Sequence, residues 1–95
     1  MKSDEFKVER VAFGKAMRKF RLKAELTQEQ LAVHAGLTCS YIGAVERGRE
    51  NISLVGIFRI CRALNVTLDQ LAKEMKKHLA QSQKVAGTIP TKALS

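Results

Sequence analysis

Polar and very small side chains are concentrated at positions 38–47 of the chain. A hydroxyl donates or accepts a hydrogen bond, and an arginine can donate two at once to the paired acceptors of guanine. Glycine permits a close approach, and an alanine methyl group suits the methyl group of thymine. If a helix presents them outward in a DNA major groove, these residue types suit contacts to base edges. The candidate readers are Thr38, Cys39, Ser40, Gly43, Ala44 and Arg47.

Gly43 stands out in this set because glycine destabilises a helix by about 1 kcal/mol relative to alanine. Its place in so short a helix indicates that something approaches the backbone closely. Together with Ala44 it predicts a shallow surface that accepts a methyl group. The alternative is simple tolerance of glycine on an exposed face, and the sequence favours neither.

Two short amphipathic segments joined at Gly36 must position the candidate readers. Thr27 is a good N-cap for the first segment, and Gln30 three residues later completes a capping box. Gly36 supplies the left-handed conformation that ends this segment, and Thr38 caps the next. The pattern predicts a helix-turn-helix, in which two helices cross at a sharp angle. Its second helix, the recognition helix, enters the major groove. The inward residues are Leu31, Ala32, Ala35, Ile42 and Val45.

Three further helices are predicted around this pair. An apolar stripe with a helical period predicts a first helix over about 10–24. Ser53 caps a fourth helix that runs to about residue 64. Thr67 and Gln70 form a second capping box, for a fifth helix that runs to about residue 79. The predicted fold is therefore all-α.

Length, charge and cysteine usage narrow the class of protein. Ninety-five residues suit a single domain, which we place at 10–80, between an N-terminal extension at 1–9 and a disordered tail at 81–95. A net charge of +8 favours an anionic partner, although ribosomal and membrane-surface proteins are basic too. The sequence indicates no disulfide framework, secretory segment or membrane span, so we expect a cytoplasmic protein.

The segments TQEQLA, AG, YI and ERG stand in register between residues 27 and 48. In this arrangement the chain resembles the phage-repressor/Cro type of helix-turn-helix regulator, from about Phe13 to about Leu71. The resemblance implies a five-helix lambda-repressor-like domain that binds double-stranded operator DNA and needs no cofactor. It also implies that Tyr41 borders the DNA and touches a base or a phosphate. Packing against the first helix is the alternative for Tyr41.

Contacts to the DNA backbone are expected at both ends of the motif. Gln28 lies in the first turn of the motif's first helix, where N–H groups and the helix dipole favour a phosphate. The family resemblance gives this glutamine the same role. Arg49, Asn51 and Ser53 follow the recognition helix and are expected to touch the backbone, although Arg49 can also be interpreted as a solvated loop charge. Such contacts fix register, whereas base contacts give specificity.

Arg21 and Glu46 resemble the family's internal ion pair, which links the first helix to the end of the recognition helix. If the pair is partly buried, removing one partner would destabilise the fold by about 3–5 kcal/mol. Its role would then be to orient the recognition helix. An exposed pair that contributes little is the alternative.

One recognition helix buries little surface, so sequence specificity requires a second half-site. A twofold homodimer would place two recognition helices about 34 Å apart, to match a palindromic operator. Apolar residues on the fourth and fifth helices are available for the dimer interface, although some of them must also close the core. They are Val55, Phe58, Leu68, Met75 and Leu79.

The segment ERGRENISL, in a short chain without a sensor domain for a small molecule, resembles restriction–modification controller proteins. Those proteins regulate transcription of their own and the endonuclease genes as dimers. A phage-type repressor or an antitoxin-like autoregulator has the same domain and stays open, as does a structural or RNA-binding adaptor. The operator sequence and the choice between activation and repression are not predicted.

Catalysis and metal binding find no support in the sequence. His34, His78, Cys39 and Cys61 lack the spacing of zinc ligands. No set of nucleophile, base and orienting residue is apparent, and neither is a phosphate-binding loop. Oxidation of Cys39 as a switch for DNA binding is a minor alternative.

Overall fold

The computed structural model describes residues 5–86, with side chains as far as Gln81. In this part the chain forms five α-helices and no strand, as predicted. The helices are α1 Lys7–Lys23, α2 Gln28–Ala35, α3 Cys39–Glu46, α4 Leu54–Leu64 and α5 Leu68–Ala86. None of the helices in the described residues is long and apolar enough to cross a membrane.

Local capping explains where the middle helices begin and end. Thr27 Oγ1 accepts a hydrogen bond from Gln30 N (3.0 Å), and Gln30 Oε1 accepts one from Thr27 N (2.9 Å). Thr38 and Ser53 cap α3 and α4 through their hydroxyl groups. The second predicted capping box also forms, at the start of α5. Gly36 ends α2 in the left-handed conformation, at φ 71°.

The outer ends of the two long helices differ from the prediction. α1 begins at Lys7 rather than near residue 10, after Phe6 in a left-handed conformation with no side-chain cap. α5 continues to Ala86, because neither glycine nor proline interrupts the sequence between residue 79 and Gly87. Residues 81–86 are therefore helical rather than the start of a disordered tail. Residues 1–4 and the rest of the predicted tail lie outside the described residues.

Two clusters of buried side chains hold the helices together. α1 packs against α3 and α5, while α2 packs against α3 and α4. The main cluster joins α1, α2, α3 and α4, and its large fully buried side chains are Met17, Leu31, Ile42, Val45 and Ile60. The smaller cluster joins α1, α4 and α5 through Ala16, Cys61 and Leu71. Burial raises the pKa of the Cys61 thiol.

Gly14 allows the close approach of α1 to α3. A Cβ at this position would lie 2.5 Å from the carbonyl oxygens of both Val45 and Glu46. Because these are backbone atoms, they cannot move aside without a shift of α3 itself. α1 therefore meets the last turn of α3, the predicted recognition helix, through bare backbone, and this contact sets where α3 lies.

Candidate nucleic-acid interface

α3 presents its first turn and its C-terminal arginine outward. Cys39 and Ser40 are exposed at its start, and Arg47 is exposed at its C-cap. Thr38 is exposed too; its Oγ1 accepts a hydrogen bond from Tyr41 N (3.1 Å), which leaves the hydroxyl hydrogen available to donate. Together with half-buried Ala44 these residues form the outer strip, defined as Thr38, Cys39, Ser40, Ala44 and Arg47.

Gly43 lies outside this strip, and its prediction as an outward position is wrong. The residue is buried, because side chains of Arg47 and Gln28 lie over it. A Cβ at residue 43 would be 3.1 Å from Arg47 Nη1 and 3.5 Å from Gln28 Oε1. The helical period does place residue 43 away from the core, but α2 crosses α3 at this point. Gly43 thus belongs to the crossing of the two helices.

Tyr41 is anchored in the protein on one side. It is half-buried and packs against the main core cluster. With Leu37 and Thr38 it lines a shallow depression at the turn of the motif. The residue therefore has a packing role, while its exposed part adjoins the outer strip at Thr38.

A buried ion pair fixes the end of α3 to α1. Arg21 Nε donates to Glu46 Oε2 (2.6 Å), and Arg21 Nη2 donates to Glu46 Oε1 (3.1 Å). The two side chains are only 8% and 4% exposed. Arg21 Nη1 also donates to Leu26 O (2.8 Å), which ties the loop before α2 to the same site. This is the pair that the family resemblance implies, in its buried form.

Gln28 belongs to the same network. Its Nε2 donates one of its two hydrogens to Glu46 Oε1 (3.0 Å), so one of the two side-chain donors predicted to hold a phosphate is engaged within the protein. The backbone beside it is better placed for that role. The first intrahelical hydrogen bond of α2 runs from Leu31 N to Thr27 O (3.0 Å), so the N–H groups of Gln28 and Glu29 precede it. Such N–H groups at a helix N-terminus favour a phosphate.

The other three predicted phosphate contacts lie in the connector to α4. Arg49, Asn51 and Ser53 are all exposed. Ser53 Oγ accepts a hydrogen bond from Gly56 N (2.9 Å), so this serine caps α4. Arg49 N donates to Ala44 O (2.9 Å), which keeps the start of the connector beside the recognition helix.

Arg10 is a residue that sequence reasoning missed. Its Nε donates to Gly48 O (3.0 Å), and its Nη1 donates to Glu5 O (2.6 Å). It thereby ties the turn after the recognition helix to the start of α1. No sequence pattern indicates this role, because the partner is a backbone carbonyl far along the chain.

The predicted dimer residues fall into two groups. Val55, Phe58 and Leu68 are 63%, 46% and 42% exposed. Met75 and Leu79 are half-buried, and Met75 packs against the smaller core cluster. The first group is therefore available to a partner, while Met75 already closes the monomer.

Two apolar features next to these residues were not predicted. Leu54, at the start of α4, is 66% exposed. A shallow groove of about 320 Å³ also opens between α1, α4 and α5. Its apolar lining includes Phe13, Ile52, Ile57, Leu68, Leu71 and Met75.

A second ion pair joins α1 to α5. Lys19 Nζ lies 3.1 Å from Glu74 Oε2, and Lys77 Nζ lies 3.5 Å from Glu74 Oε1. The Glu74 side chain is 8% exposed, whereas that of Lys19 is 54% exposed. Burial by itself raises the pKa of Glu74, but the hydrogen bond and charge of Lys19, with those of Lys77, outweigh it and hold the pKa below its usual value. Sequence reasoning missed Glu74, although its spacing from Leu71 places both on one helix face.

The histidines and cysteines do not come together as metal ligands. Among the described residues no group of three histidine, cysteine or acidic side chains is placed to hold a metal ion. Cys39 is an exposed free thiol, and Cys61 is a buried one.

Comparison with known proteins gives a consistent family. The helix-turn-helix family model matches residues 17–71. The control protein C.MunI from a Mycoplasma species is 33% identical over 69 residues, which are 72% of this chain and 93% of that protein. The restriction–modification controller protein C.AhdI from Aeromonas hydrophila has a TM-score of 0.64 and 44% identity, over 65% of this chain and 94% of that one.

A third similar protein was solved with DNA. The controller protein C.Esp1396I, a tetramer in complex with its natural 35-base-pair operator, has a TM-score of 0.71 and 25% identity, over 76% of this chain and 95% of that one. The chain therefore belongs to the phage-repressor/Cro-type helix-turn-helix family and, within it, is similar to restriction–modification controller proteins.

Proposed function

We propose that the protein is a transcriptional regulator that binds double-stranded DNA sequence-specifically, as a homodimer on a palindromic operator. The observation that carries this proposal is the outer strip of α3. Thr38 caps one end of that helix, and the buried Arg21–Glu46 pair holds the other. A rigid polar strip on a helix suits the major groove, where base pairs are distinguishable. The net charge of +8 supports an anionic partner.

Base readout is assigned to the outer strip, with Tyr41 at its border. The exposed hydroxyl of Ser40 donates or accepts and so tolerates several bases, whereas Arg47 is suited to guanine. Half-buried Ala44 offers a methyl group to thymine. Cys39 lies in the first turn, at the part of a recognition helix that meets base edges.

Backbone contacts are assigned to the first turn of α2 and to the connector after α3. The N–H groups of Gln28 and Glu29 would receive one phosphate, with the Gln28 side chain kept on Glu46. Arg49 and Asn51 are exposed, and each would contact the DNA backbone next to that phosphate. Ser53 would do so while it caps α4.

The homodimer is assigned to the exposed apolar residues of α4 together with Leu68. Val55 and Phe58 lie three residues apart on α4, so they share one helix face. Phe58→Glu should weaken self-association, since it places a charge in an apolar contact. Sedimentation velocity measures this, with Val33→Glu as the control, the same apolar-to-charged change at a position of α2 that is 80% exposed. An unchanged sedimentation profile for Phe58→Glu would contradict this interface.

Within the family we propose the role of a restriction–modification controller protein, since C.MunI and C.AhdI are such proteins. Regulation would follow from protein concentration, through dimerisation and operator occupancy. We infer a cytoplasmic protein with no catalytic step.

Selection from a random duplex library tests the proposed function directly. The wild-type protein should enrich a palindrome, and its affinity for that duplex should exceed its affinity for a shuffled duplex by about 10³ or more. Added salt should weaken binding to both duplexes, because phosphate contacts release counterions. Equal affinity for the two would contradict the proposal and favour an adaptor that uses its charge without base readout.

A further inference from the structure

Gly43 lies beneath the side chain of Arg47, one helical turn away. Arg47 N donates to Gly43 O (3.1 Å), and a side chain on a helix covers the turn that precedes its own Cα. A Cβ at residue 43 would lie 3.1 Å from Arg47 Nη1. That is closer than the usual non-bonded separation of about 3.5–4.0 Å. A methyl group at this position would therefore push the guanidinium aside by a few tenths of an ångström.

Gln28 forms the other wall of this space, and it is held in place. The same Cβ would be 3.5 Å from Gln28 Oε1 and 3.8 Å from Gln28 Nε2. Gln28 Nε2 donates to Glu46 Oε1 (3.0 Å), and that carboxylate is fixed in turn by two donors of Arg21. Arg47 is exposed and sits at the end of its helix. A methyl group added at residue 43 would therefore displace Arg47 rather than Gln28.

We propose that Gly43 determines the sequence specificity of this protein through Arg47: the missing Cβ seats the Arg47 guanidinium beside Gln28 and so fixes which base pair that arginine reads. The inference rests on the proposed DNA-binding function. A seated arginine loses less rotamer freedom when DNA binds. A guanidinium displaced by a methyl group matches the two acceptors of guanine less well. Gly43 is thus a positioning residue that acts through Arg47.

A double-mutant cycle tests this role. The duplex enriched by the wild-type protein from a random library serves as the probe for wild type, Gly43→Ala, Arg47→Ala and the double variant. Gly43→Ala should weaken binding about tenfold in the wild-type background. It should change binding less than about twofold once residue 47 is alanine. Equal losses in the two backgrounds, or no loss in either, would overturn the proposal.

Arg49→Ala supplies the matched background, because it removes the same charge from a side chain that does not cover Gly43. There Gly43→Ala should still weaken binding about tenfold. Thermal unfolding by circular dichroism should show a melting temperature of Gly43→Ala no lower than that of the wild type, since alanine favours a helix. A matching loss of stability and affinity in both backgrounds would instead assign Gly43 a purely structural role.

Library selection with the variants gives a second readout that folding alone does not move. Gly43→Ala and Arg47→Ala should lose base preference at the same operator position. Loss at different positions would overturn the proposal. If the wild-type protein enriches no sequence, the proposed function fails together with this inference. If it enriches a palindrome but the effects of Gly43→Ala and Arg47→Ala on DNA affinity are additive, only the role of Gly43 fails.

Discussion

α1 makes one ion pair to α3 and another to α5, and the two lie in different surroundings. In the Arg21–Glu46 pair both side chains are at most 8% exposed, whereas Lys19 in the Lys19–Glu74 pair is 54% exposed. Solvent and salt weaken the second pair, and exposed pairs contribute about 0–1 kcal/mol. Breaking a buried pair strands a charge and destabilises by about 3–5 kcal/mol. The stronger of the two ion-pair connections of α1 is therefore the one to the recognition helix.

The two ion pairs also differ in the other groups that surround Glu46 and Glu74. Glu46 also accepts a hydrogen bond from Gln28 and so links α1, α2 and α3 at one point. Bare backbone at Gly14 brings α1 against the same end of α3. Glu74 is surrounded instead by cations of α1 and α5, and it closes the side of the fold that α5 covers. Stability is shared between both sides, but only the first side controls how the outer strip is presented.

Glu46→Gln should have the largest effect, because it leaves the Arg21 guanidinium buried without a counter-charge. We expect a loss of about 3–5 kcal/mol in the free energy of unfolding, measured by urea denaturation. Glu74→Gln is the matched control, since it neutralises the other buried carboxylate that pairs with α1. Its loss at neutral pH should stay below about 1 kcal/mol. Similar losses for the two variants would remove the distinction between the pairs.

Gly14→Ala should cause the second-largest loss in the free energy of unfolding, because its Cβ would meet the carbonyl oxygens of Val45 and Glu46 at 2.5 Å. Overpacking of this kind costs about 1–3 kcal/mol, even though alanine is the better helix former. Lys15→Ala, at the exposed neighbouring position, should stay within about 0.5 kcal/mol of wild type. A stable Gly14→Ala protein that binds the operator as wild type does would show that α3 tolerates displacement.

The Glu74 pair should appear in the pH dependence of stability. Because the folded pKa of Glu74 is lowered, its stabilisation is present above the unfolded pKa and is lost as the pH falls through the folded one. The free energy of unfolding should therefore decline below about pH 4.3 more steeply in wild type than in Glu74→Gln. Glu50→Gln, in the exposed connector, controls for the loss of a carboxylate. Parallel pH profiles for wild type and Glu74→Gln would contradict the assignment.

Lys19→Met should have the smallest effect, because the lysine head group is half exposed and its stem can still pack. We expect a change below about 0.5 kcal/mol at physiological salt, which shrinks further at about 1 M salt as screening increases. Denaturation at two salt concentrations measures it. A loss of stability that salt leaves unchanged would mean that the Lys19–Glu74 pair is as well shielded from solvent as the Arg21–Glu46 pair.

The features that the sequence predicted correctly are local ones. Thr27 with Gln30, Thr38, Ser53 and Gly36 each act on backbone atoms within a few residues, so spacing alone reveals the caps and the turn. The core faces follow from the helical period for the same reason. The resemblance then supplied one long-range pair, Arg21–Glu46, that no spacing rule gives.

The features that it missed depend on how helices cross. Gly43 faces away from the core by its period, yet Gln28 arrives from α2 and covers it. Arg10 reaches a carbonyl that only the fold brings near, and Glu74 is buried because α5 lies on α1. α1 begins after a residue with no capping side chain, so no residue type marks its start. Whether the outer strip reads bases and whether Phe58 meets a second copy stay predictions.

Amide hydrogen exchange along α3 in the free protein tests most directly whether the recognition helix is held ready for DNA. Eight residues are too few for a stable isolated helix, so protection must come from packing against α1 and α2. The α3 amides of the wild type from Ile42 onward, where the intrahelical hydrogen bonds begin, should exchange with the same free energy as the buried amides of α1, through global unfolding. In Glu46→Gln they should exchange through a separate, easier opening, while α5 keeps its protection relative to α1. Unprotected α3 amides in the wild-type protein would contradict a rigidly presented strip.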